Sequence, residues 1–536
     1  MSVNLNAGIA TPLSSATSVG TEILRAGGTA VDAAIAANAF LTVAFPHMCS
    51  VGGDLFAVVR DPSGNSVSIN GSGKSSILGS FAGEYVGAQD WLRGRHTVTV
   101  PGTVGAWAEL HRRFGRLPLA RLLEPAIEAA RNGFSVGSSL ARSLRLHKTL
   151  LKKDEGSRST FFLDGAIAVE GQRIKQPALA ETLKAIAQDP RTFYTGEVSR
   201  KLLDGLRQLK VPMSEADFSG YAPVVEATLS REVQVGERTF RIHTSPPNSQ
   251  GLLLISALQD IHRSTDDPSP SSPRTARAMA RAAAKAARWR NDCLADPSRM
   301  TLNSTALLDS DMEESGAAPY LEKSGSGDTV AVVVSDGEGV SISLIQSLYS
   351  AFGTGETDPA TGVILQNRGA CFSQSSSSVN ALAPGVRPSH SLMPVLVELD
   401  GNLNLVAGTM GGLGQPQVHA QLILRILGIN ESLESAIKAA RWILDPPPIH
   451  GEAWLFAAEP DVSAEVIEIL EQEGFEHRPA LKNEDTFGHA QVIRIEGLEL
   501  SAASDPRADG TACVLEPSPF AVSENASQYN HDREID

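Results

Sequence analysis

A hydroxyl side chain attacks a carbonyl usefully only when a base takes its proton, and the stretch Gly327-Asp328-Thr329 offers a way to supply one. Thr329 opens an apolar run, Val330 to Val334, which breaks at Ser335-Asp336-Gly337-Glu338-Gly339 and resumes as Val340, Ile342 and Leu344 on alternate residues. That pattern predicts a β-hairpin turning on Asp336-Gly337. Upstream, Lys323-Ser-Gly-Ser-Gly-Asp is small, polar and glycine-rich, so the chain is expected to reach Thr329 through an exposed, easily strained segment.

An internal threonine has only a non-basic amide nitrogen beside its hydroxyl. Cutting the backbone between Asp328 and Thr329 would turn that nitrogen into an α-amine with a pKa of roughly 8, close enough to neutral to act as the base. One residue would then hold both nucleophile and base, the layout of an N-terminal-nucleophile hydrolase. Taken alone, the stretch is better accounted for by a β-branched residue that merely begins a strand; the rest of the chain reverses that reading.

With 536 residues and 42% apolar content, the chain is long enough for two tightly associated parts around a large core. A net charge of −15 argues against nucleic acid and anionic membrane surfaces, both of which need a basic face. A small-molecule or peptide-like substrate fits better. No apolar run reaches 18 residues, and Met-Ser-Val-Asn-Leu-Asn lacks the features of an export signal, so the reading is a soluble, cytoplasmic protein. Cys49, Cys293, Cys371 and Cys513 have no metal-like spacing and make no disulfide framework. They read as reduced structural residues, and nothing calls for a metal or a cofactor.

Several elements must position the candidate nucleophile. Val19, Ile23 and Leu24 share a helix face that Gly27-Gly28 terminates. The Ala-rich run from Thr29 to Leu41 is apolar all round and therefore a buried helix. Ser50-Val-Gly-Gly-Asp-Leu-Phe leads into a strand at Phe56–Val59, its glycines implying backbone held close to something else. Asn70-Gly-Ser-Gly-Lys-Ser lacks the spacing of a phosphate loop. Residues 119–130 read as an amphipathic helix, the basic stretch from Leu140 to Lys153 as a solvated face, and 252–261 and 275–295 as further helices, with Asp266-Asp-Pro-Ser-Pro-Ser-Ser-Pro a surface loop. Beyond Thr329 the pattern is strand-rich to Gln415, then helical from Val418 to Leu427 and from Ser432 to Trp442, with a polar tail from about Glu516 expected to fray. Layers of this kind suggest an α+β, αββα architecture.

Between Ile9 and Ala512 the chain resembles the γ-glutamyltranspeptidase family of N-terminal-nucleophile hydrolases. The resemblance rests on Ile23-Leu-Arg-Ala-Gly-Gly-Thr-Ala-Val-Asp-Ala-Ala, Val100-Pro-Gly-Thr-Val, Pro246-Pro-Asn-Ser-Gln-Gly, Phe352-Gly-Thr-Gly, Arg387-Pro, Gly411-Gly412 and Ala503-Ser-Asp-Pro-Arg, all in order. It implies a four-layer αββα sandwich and a precursor that cuts itself between Asp328 and Thr329 into a large part, 1–328, and a small one, 329–536, which stay associated; oligomerisation beyond that is left open. It also implies that Thr329 is the nucleophile, that Ser347 supplies a supporting hydroxyl, and that Gly411 and Gly412 offer backbone N–H groups to the developing oxyanion. A plain tight turn remains the simpler account of the two glycines.

Departures from the family pattern bear on substrate. The resemblance implies an Arg for the substrate's α-carboxylate where this chain has Asn70-Gly71-Ser72-Gly73-Lys74, and an Asn and an Asp for the α-amino group where it has Tyr349 and Cys371. Neither of the latter holds an ammonium as a carboxylate does. Arg368 stands in Gln366-Asn367-Arg368-Gly369, and the family's paired serines become His390 and Ser391. The candidate substrate-binding set is therefore Arg368, Tyr349, His390, Ser391 and Asn367. Their pattern, with Gly408-Thr-Met-Gly-Gly and Gln415-Pro-Gln, is similar to the cephalosporin-acylase-like and oxamate-amidohydrolase-like branch, which also holds enzymes that hydrolyse a carbon–carbon bond next to a keto acid. A buried Arg needs an anion or several acceptors; the substrate is one source and an internal acid such as Glu356 is another. The expected activity is acyl transfer to water from a small acidic amide or related substrate. Its rivals are γ-glutamyl transfer on glutathione-like peptides, carbon–carbon hydrolysis, and a precursor that never cleaves and serves as a scaffold.

Overall fold

A computed structural model of the chain describes residues 6–78, 88–309, 328–445 and 454–516. The glycine-rich approach to the hairpin and the polar tail, both singled out above, lie outside the described residues.

The hairpin is present and central. Strands Ala7–Thr11 (β1), Asp54–Arg60 (β2), Ser66–Gly71 (β3), Val224–Ala227 (β4), Leu229–Val235 (β5), Arg238–Thr244 (β6), Asp328–Ser335 (β7), Ser341–Tyr349 (β8), Val395–Leu399 (β9), Asn402–Thr409 (β10), Ala490–Glu496 (β11), Glu499–Ser504 (β12) and Thr511–Leu515 (β13) form two sheets. In the first the order is β13-β1-β7-β8-β2-β3-β4; in the second it is β12-β11-β10-β9-β6-β5. All these pairings are antiparallel. The β7–β8 connection is longer than the expected two-residue turn: Asp336 accepts the N–H groups of Glu338 and Val340, and Gly339, not Gly337, takes the left-handed conformation (φ +92°).

Alternation along β7 and β8 sorts their residues between two layers. Val330, Val332, Val334, Ile342 and Leu344 pack with the helices Ser14–Arg25 (α1), Ala30–Ala44 (α2), Thr103–Phe114 (α3) and Leu119–Asn132 (α4) in one core. Helix α2 is buried because its sequence offers no polar face, and it starts sharply because Thr29 and Asp32 cap each other's backbone N–H groups. On the other face Phe56, Ala331, Ile345 and Leu392 meet between the sheets, with Ala10, Val58, Val333, Leu396, Val406 and Ile493 beyond them. Each large apolar side chain so enclosed contributes roughly 1.5–3 kcal/mol. Helices Gly251–Ser264 (α5), Pro273–Cys293 (α6) and Gln415–Ile423 (α7) cover the outer face of the second sheet. Ser272 caps α6 from its side chain and Pro273 fills its first turn. The result is the αββα sandwich that the resemblance implied.

Three local expectations are corrected. Residues 350–394 are not strand-rich; they form turns, the short 3₁₀ segment Arg368–Cys371 and isolated bridges, held by side-chain hydrogen bonds instead of a ladder. The stretch 140–153 is amphipathic, with Leu140, Leu144 and Leu151 fully buried beneath its cations. The helix expected to run to Trp442 is only Leu433–Lys438, because Arg441 is drawn inward to Asp505 and Trp442 begins the strand Trp442–Asp445.

Candidate active site

Antiparallel order brings six chain segments to one end of the sandwich. From the first sheet come the start of β7, the end of β8, the start of β2 and the end of β3; from the second come the approach to β9 and the exit of β10. Thr329 pairs with Ser347, and Ser347 pairs with Asp54 on the next strand, so these three residues stand in a row on the face that looks between the sheets. Gly408 marks how closely the second sheet approaches: a Cβ there would meet the Ile345 Cδ1 at 2.6 Å and the Ala331 Cβ at 3.0 Å. The glycines before Asp54 have the reason the sequence implied, since a Cβ on Gly52 would strike the Ile364 carbonyl at 2.2 Å and one on Gly53 the Ser347 carbonyl at 2.5 Å.

Thr329 is 1% exposed and follows a register shift between Asp328 and itself. The Ser347 hydroxyl accepts the Tyr349 N–H at 2.8 Å and donates to the Asp328 carbonyl oxygen at 2.7 Å. The Asp328 side chain is buried too, and burial, followed by the neighbouring Asp485, pushes its carboxyl well above the usual range. Beyond β10, Gly411 and Gly412 have φ of +148° and +52°, conformations that side-chain-bearing residues rarely adopt. Met410 and Gly414 on either side donate their N–H groups to the carbonyls of His489 and Gly411, but those of Gly411 and Gly412 find no acceptor among the described residues.

Arg368 is wholly buried. One terminal nitrogen, Nη1, lies 3.1 Å from Ser391 Oγ and 3.7 Å from Cys371 Sγ, and the guanidinium carbon sits 4.8 Å from the centroid of the Tyr349 ring. Among the described residues Nε and Nη2 have no hydrogen-bond partner and no carboxylate lies within ion-pair range. Glu356 is therefore not its counter-ion. Tyr349 holds its ring there from a left-handed backbone (φ +81°), a conformation that costs a β-carbon-bearing residue on the order of 1–3 kcal/mol. Burial pushes its phenol well above its ordinary range.

His390 is neutral, its pKa held well below the ordinary value by burial and then by Arg368. Its Nδ1 accepts the Leu392 N–H at 3.2 Å, so the ring proton is on Nε2, which faces Asp54 Oδ2 at 3.2 Å. The amide of Asn367 is committed within the protein, donating to Leu92 O and Ser350 Oγ and accepting the Ser350 N–H. It braces the turn that carries Arg368. Lys74 is exposed. No group of three His, Cys, Asp or Glu side chains among the described residues is arranged to hold a metal ion, and no described helix is long and apolar enough to cross a membrane.

Two residues of this end, Asp54 and Gln250, escaped the sequence reading. Asp54 accepts from Gln366 Nε2 at 2.9 Å and from the Gly73 N–H at 3.2 Å, and desolvation raises its pKa to about 7. Gln250 donates to the carbonyls of Ser391 and Gly412 at 2.7 and 2.9 Å, tying the Arg368 pocket to the glycine turn. A carboxylate entering an otherwise apolar strand directly after Gly52-Gly53 was the available signal for Asp54; its partners Gln366 and His390 lie more than 300 residues away in the chain.

The fold and this end of it define an N-terminal-nucleophile hydrolase. The chain belongs to the γ-glutamyltranspeptidase family, whose sequence profile matches residues 16–515. It is 32% identical over 515 residues to the oxamate amidohydrolase proenzyme of Klebsiella pneumoniae, covering 91% of this chain and 95% of that one. It is 32% identical over 525 residues to the glutathione hydrolase-like YwrD proenzyme of Bacillus subtilis, covering 93% and 96%. Among solved structures it is similar to a cephalosporin acylase from Bacillus halodurans, with a TM-score of 0.84, 28% identity, and 95% and 96% of the two chains covered.

Proposed function

We propose that this enzyme cuts itself before Thr329 and then hydrolyses an amide of a small acidic acyl group. In the precursor the Thr329 hydroxyl attacks the Asp328 carbonyl, the acyl group shifts from nitrogen to oxygen, and water releases it, leaving a 328-residue and a 208-residue chain. The freed α-amine then takes the proton from Thr329 Oγ1 as that oxygen attacks the substrate carbonyl. The N–H groups of Gly411 and Gly412 receive the developing oxyanion, the amine leaves, and water hydrolyses the ester on Thr329.

The observation that carries the substrate reading is the Arg368 guanidinium, buried with two nitrogens, Nε and Nη2, unpaired and no carboxylate in range among the described residues. A planar fork of this kind matches a carboxylate or a dicarbonyl edge. Tyr349 and Cys371 beside it cannot serve an α-ammonium, and Asp54 is already engaged by His390, Gln366 and Gly73. The similarity to an oxamate amidohydrolase supports an oxalyl-type acyl group, and the similarity to a cephalosporin acylase structure supports cleavage of an acyl amide.

The test is kcat/KM for matched oxalyl, glutaryl and γ-glutamyl anilides on processed enzyme. An acidic acyl group without an ammonium should win, and Arg368→Gln should lower its kcat/KM by about ten- to a hundredfold while self-cleavage continues. A γ-glutamyl substrate preferred tenfold or more would replace this reading with ordinary γ-glutamyl transfer.

A further inference from the structure

Asp54 has a position that the mechanism above does not use. It stands in the row with Ser347 and Thr329 and is fully buried. Two routes connect it to the guanidinium of Arg368. One runs through Gln366, two residues before Arg368, which donates to Asp54 Oδ1. The other runs through His390, whose Nε2 faces Asp54 Oδ2 and whose neighbour Ser391 contacts Arg368 Nη1. The two side chains are electrostatically coupled without forming an ion pair. The other charged or titratable groups around Asp54 are Arg387, from the approach to β9, and the phenols of Tyr194 and Tyr221; in the processed enzyme the Thr329 α-amine stands in the same row, beyond Ser347.

When a substrate carboxylate docks on Arg368, it and Asp54 would be two buried anions drawing on the same guanidinium, with Arg387 the weaker second cation acting on Asp54. Like charges so placed raise the pKa of one of them. The geometry says which group takes the proton. Asp54 Oδ1 already accepts two N–H donors, from Gln366 and Gly73, whereas Oδ2 faces only His390 and keeps a free lone pair. His390 cannot take the proton instead without losing the Leu392 N–H bond at Nδ1.

We propose that Asp54 is a positioning residue that couples binding of an acidic acyl group at Arg368 to uptake of one proton from solvent, which lodges on Asp54 Oδ2. The inference rests on the reading of Arg368 as the anion site. With burial raising the Asp54 carboxyl to about 7, affinity for the acyl anion should be greatest below that pH and fall as the pH rises through it, by up to about tenfold per unit. A neutral acyl group feels no such limb.

Calorimetric titration of processed enzyme with oxalate and with glutarate, at pH 7 and 8 in buffers of different ionisation enthalpy, measures the proton directly. Uptake should approach one proton per anion at pH 8, vanish in Asp54→Asn, and leave that variant binding the anion about equally at both pH values. Anion binding that depends on Arg368 but takes up no proton, or uptake that survives in Asp54→Asn, overturns the role of Asp54 and leaves the anion site standing. Failure of both anions to bind, or equal binding by Arg368→Gln, overturns the anion site and the coupling with it. Should Asp54→Asn not fold or process, the wild-type pH profile decides: kcat/KM for an acidic acyl substrate falls above about pH 7 relative to a neutral acyl analogue, and superimposable profiles overturn the proposal.

Discussion

The hydroxyl of Ser347 lies 2.7 Å from the carbonyl oxygen of Asp328, the oxygen that would become negative in the proposed attack of Thr329 on the bond preceding it. Because the Tyr349 N–H occupies the acceptor side of that hydroxyl, its hydrogen is directed at the carbonyl. A fixed donor aimed at developing charge is worth about a hundredfold or more in rate. Ser347→Ala should slow the appearance of the two chains by at least about tenfold, and Ser347→Thr should retain most of the rate. Time courses of freshly made protein on denaturing gels measure this; an alanine variant that cleaves as fast as wild type would remove Ser347 from the self-cleavage step.

The glycine turn makes a separate prediction for substrate turnover. A Cβ on Gly411 would meet nothing closer than 3.7 Å, so the harm of a side chain there comes from the backbone, whose φ of +148° only glycine adopts freely. Gly411→Ala and Gly412→Ala should each reorient an N–H that now has no internal acceptor, lowering kcat by about a hundredfold. Turnover within twofold of wild type in a processed Gly412→Ala enzyme would exclude the oxyanion role.

Acid stability is set partly by two buried histidines that the proposed mechanism does not use. His47 and His419 are buried with no partner for either ring nitrogen, and desolvation lowers both pKa values to about 3. The unfolded chain binds their protons from about pH 6.5 downward while the folded chain does not, so stability is lost as the pH falls from about 6.5 towards 3. His419→Met should therefore narrow the difference between urea midpoints at pH 7 and pH 5. An unchanged difference would show that His419 is not a source of the acid sensitivity.

The motif Ala503-Ser-Asp-Pro-Arg proves to be a buried charge network. Asp505 accepts from Arg441 at 2.7 Å and from Arg507 at 3.0 Å, and Arg507 also contacts Glu459. Removing one member leaves a buried charge uncompensated, which typically costs about 3–5 kcal/mol. Asp505→Ala should be severely destabilised, with Asp505→Asn milder; denaturant unfolding of the three proteins tests the order.

The local pattern of residues was enough for the hairpin, the buried Ala-rich helix, the capped helices and the αββα class. Each of these follows from periodicity and turn chemistry within a few dozen residues. Local pattern made Thr329 no more than a candidate, a hydroxyl residue opening a buried strand; the roles proposed for it, for Arg368 and for the Gly411-Gly412 pair came from the family resemblance. Where local pattern misled, as over residues 350–394 and at Arg441, a distant partner had outweighed it.

What the tertiary structure alone decided is which of these residues share an end of the sandwich and what state they are in there. Asp54 and His390 are 336 residues apart, and only the antiparallel order of two sheets brings them within 3.2 Å of each other. Asn367 and Arg368 are adjacent in sequence, yet one spends its hydrogen bonds inside the protein and the other has two nitrogens without a partner among the described residues. Sequence specifies a side chain's chemistry, but its burial, its counter-ion and its proton depend on electrostatic interactions between segments that meet only when the chain is folded.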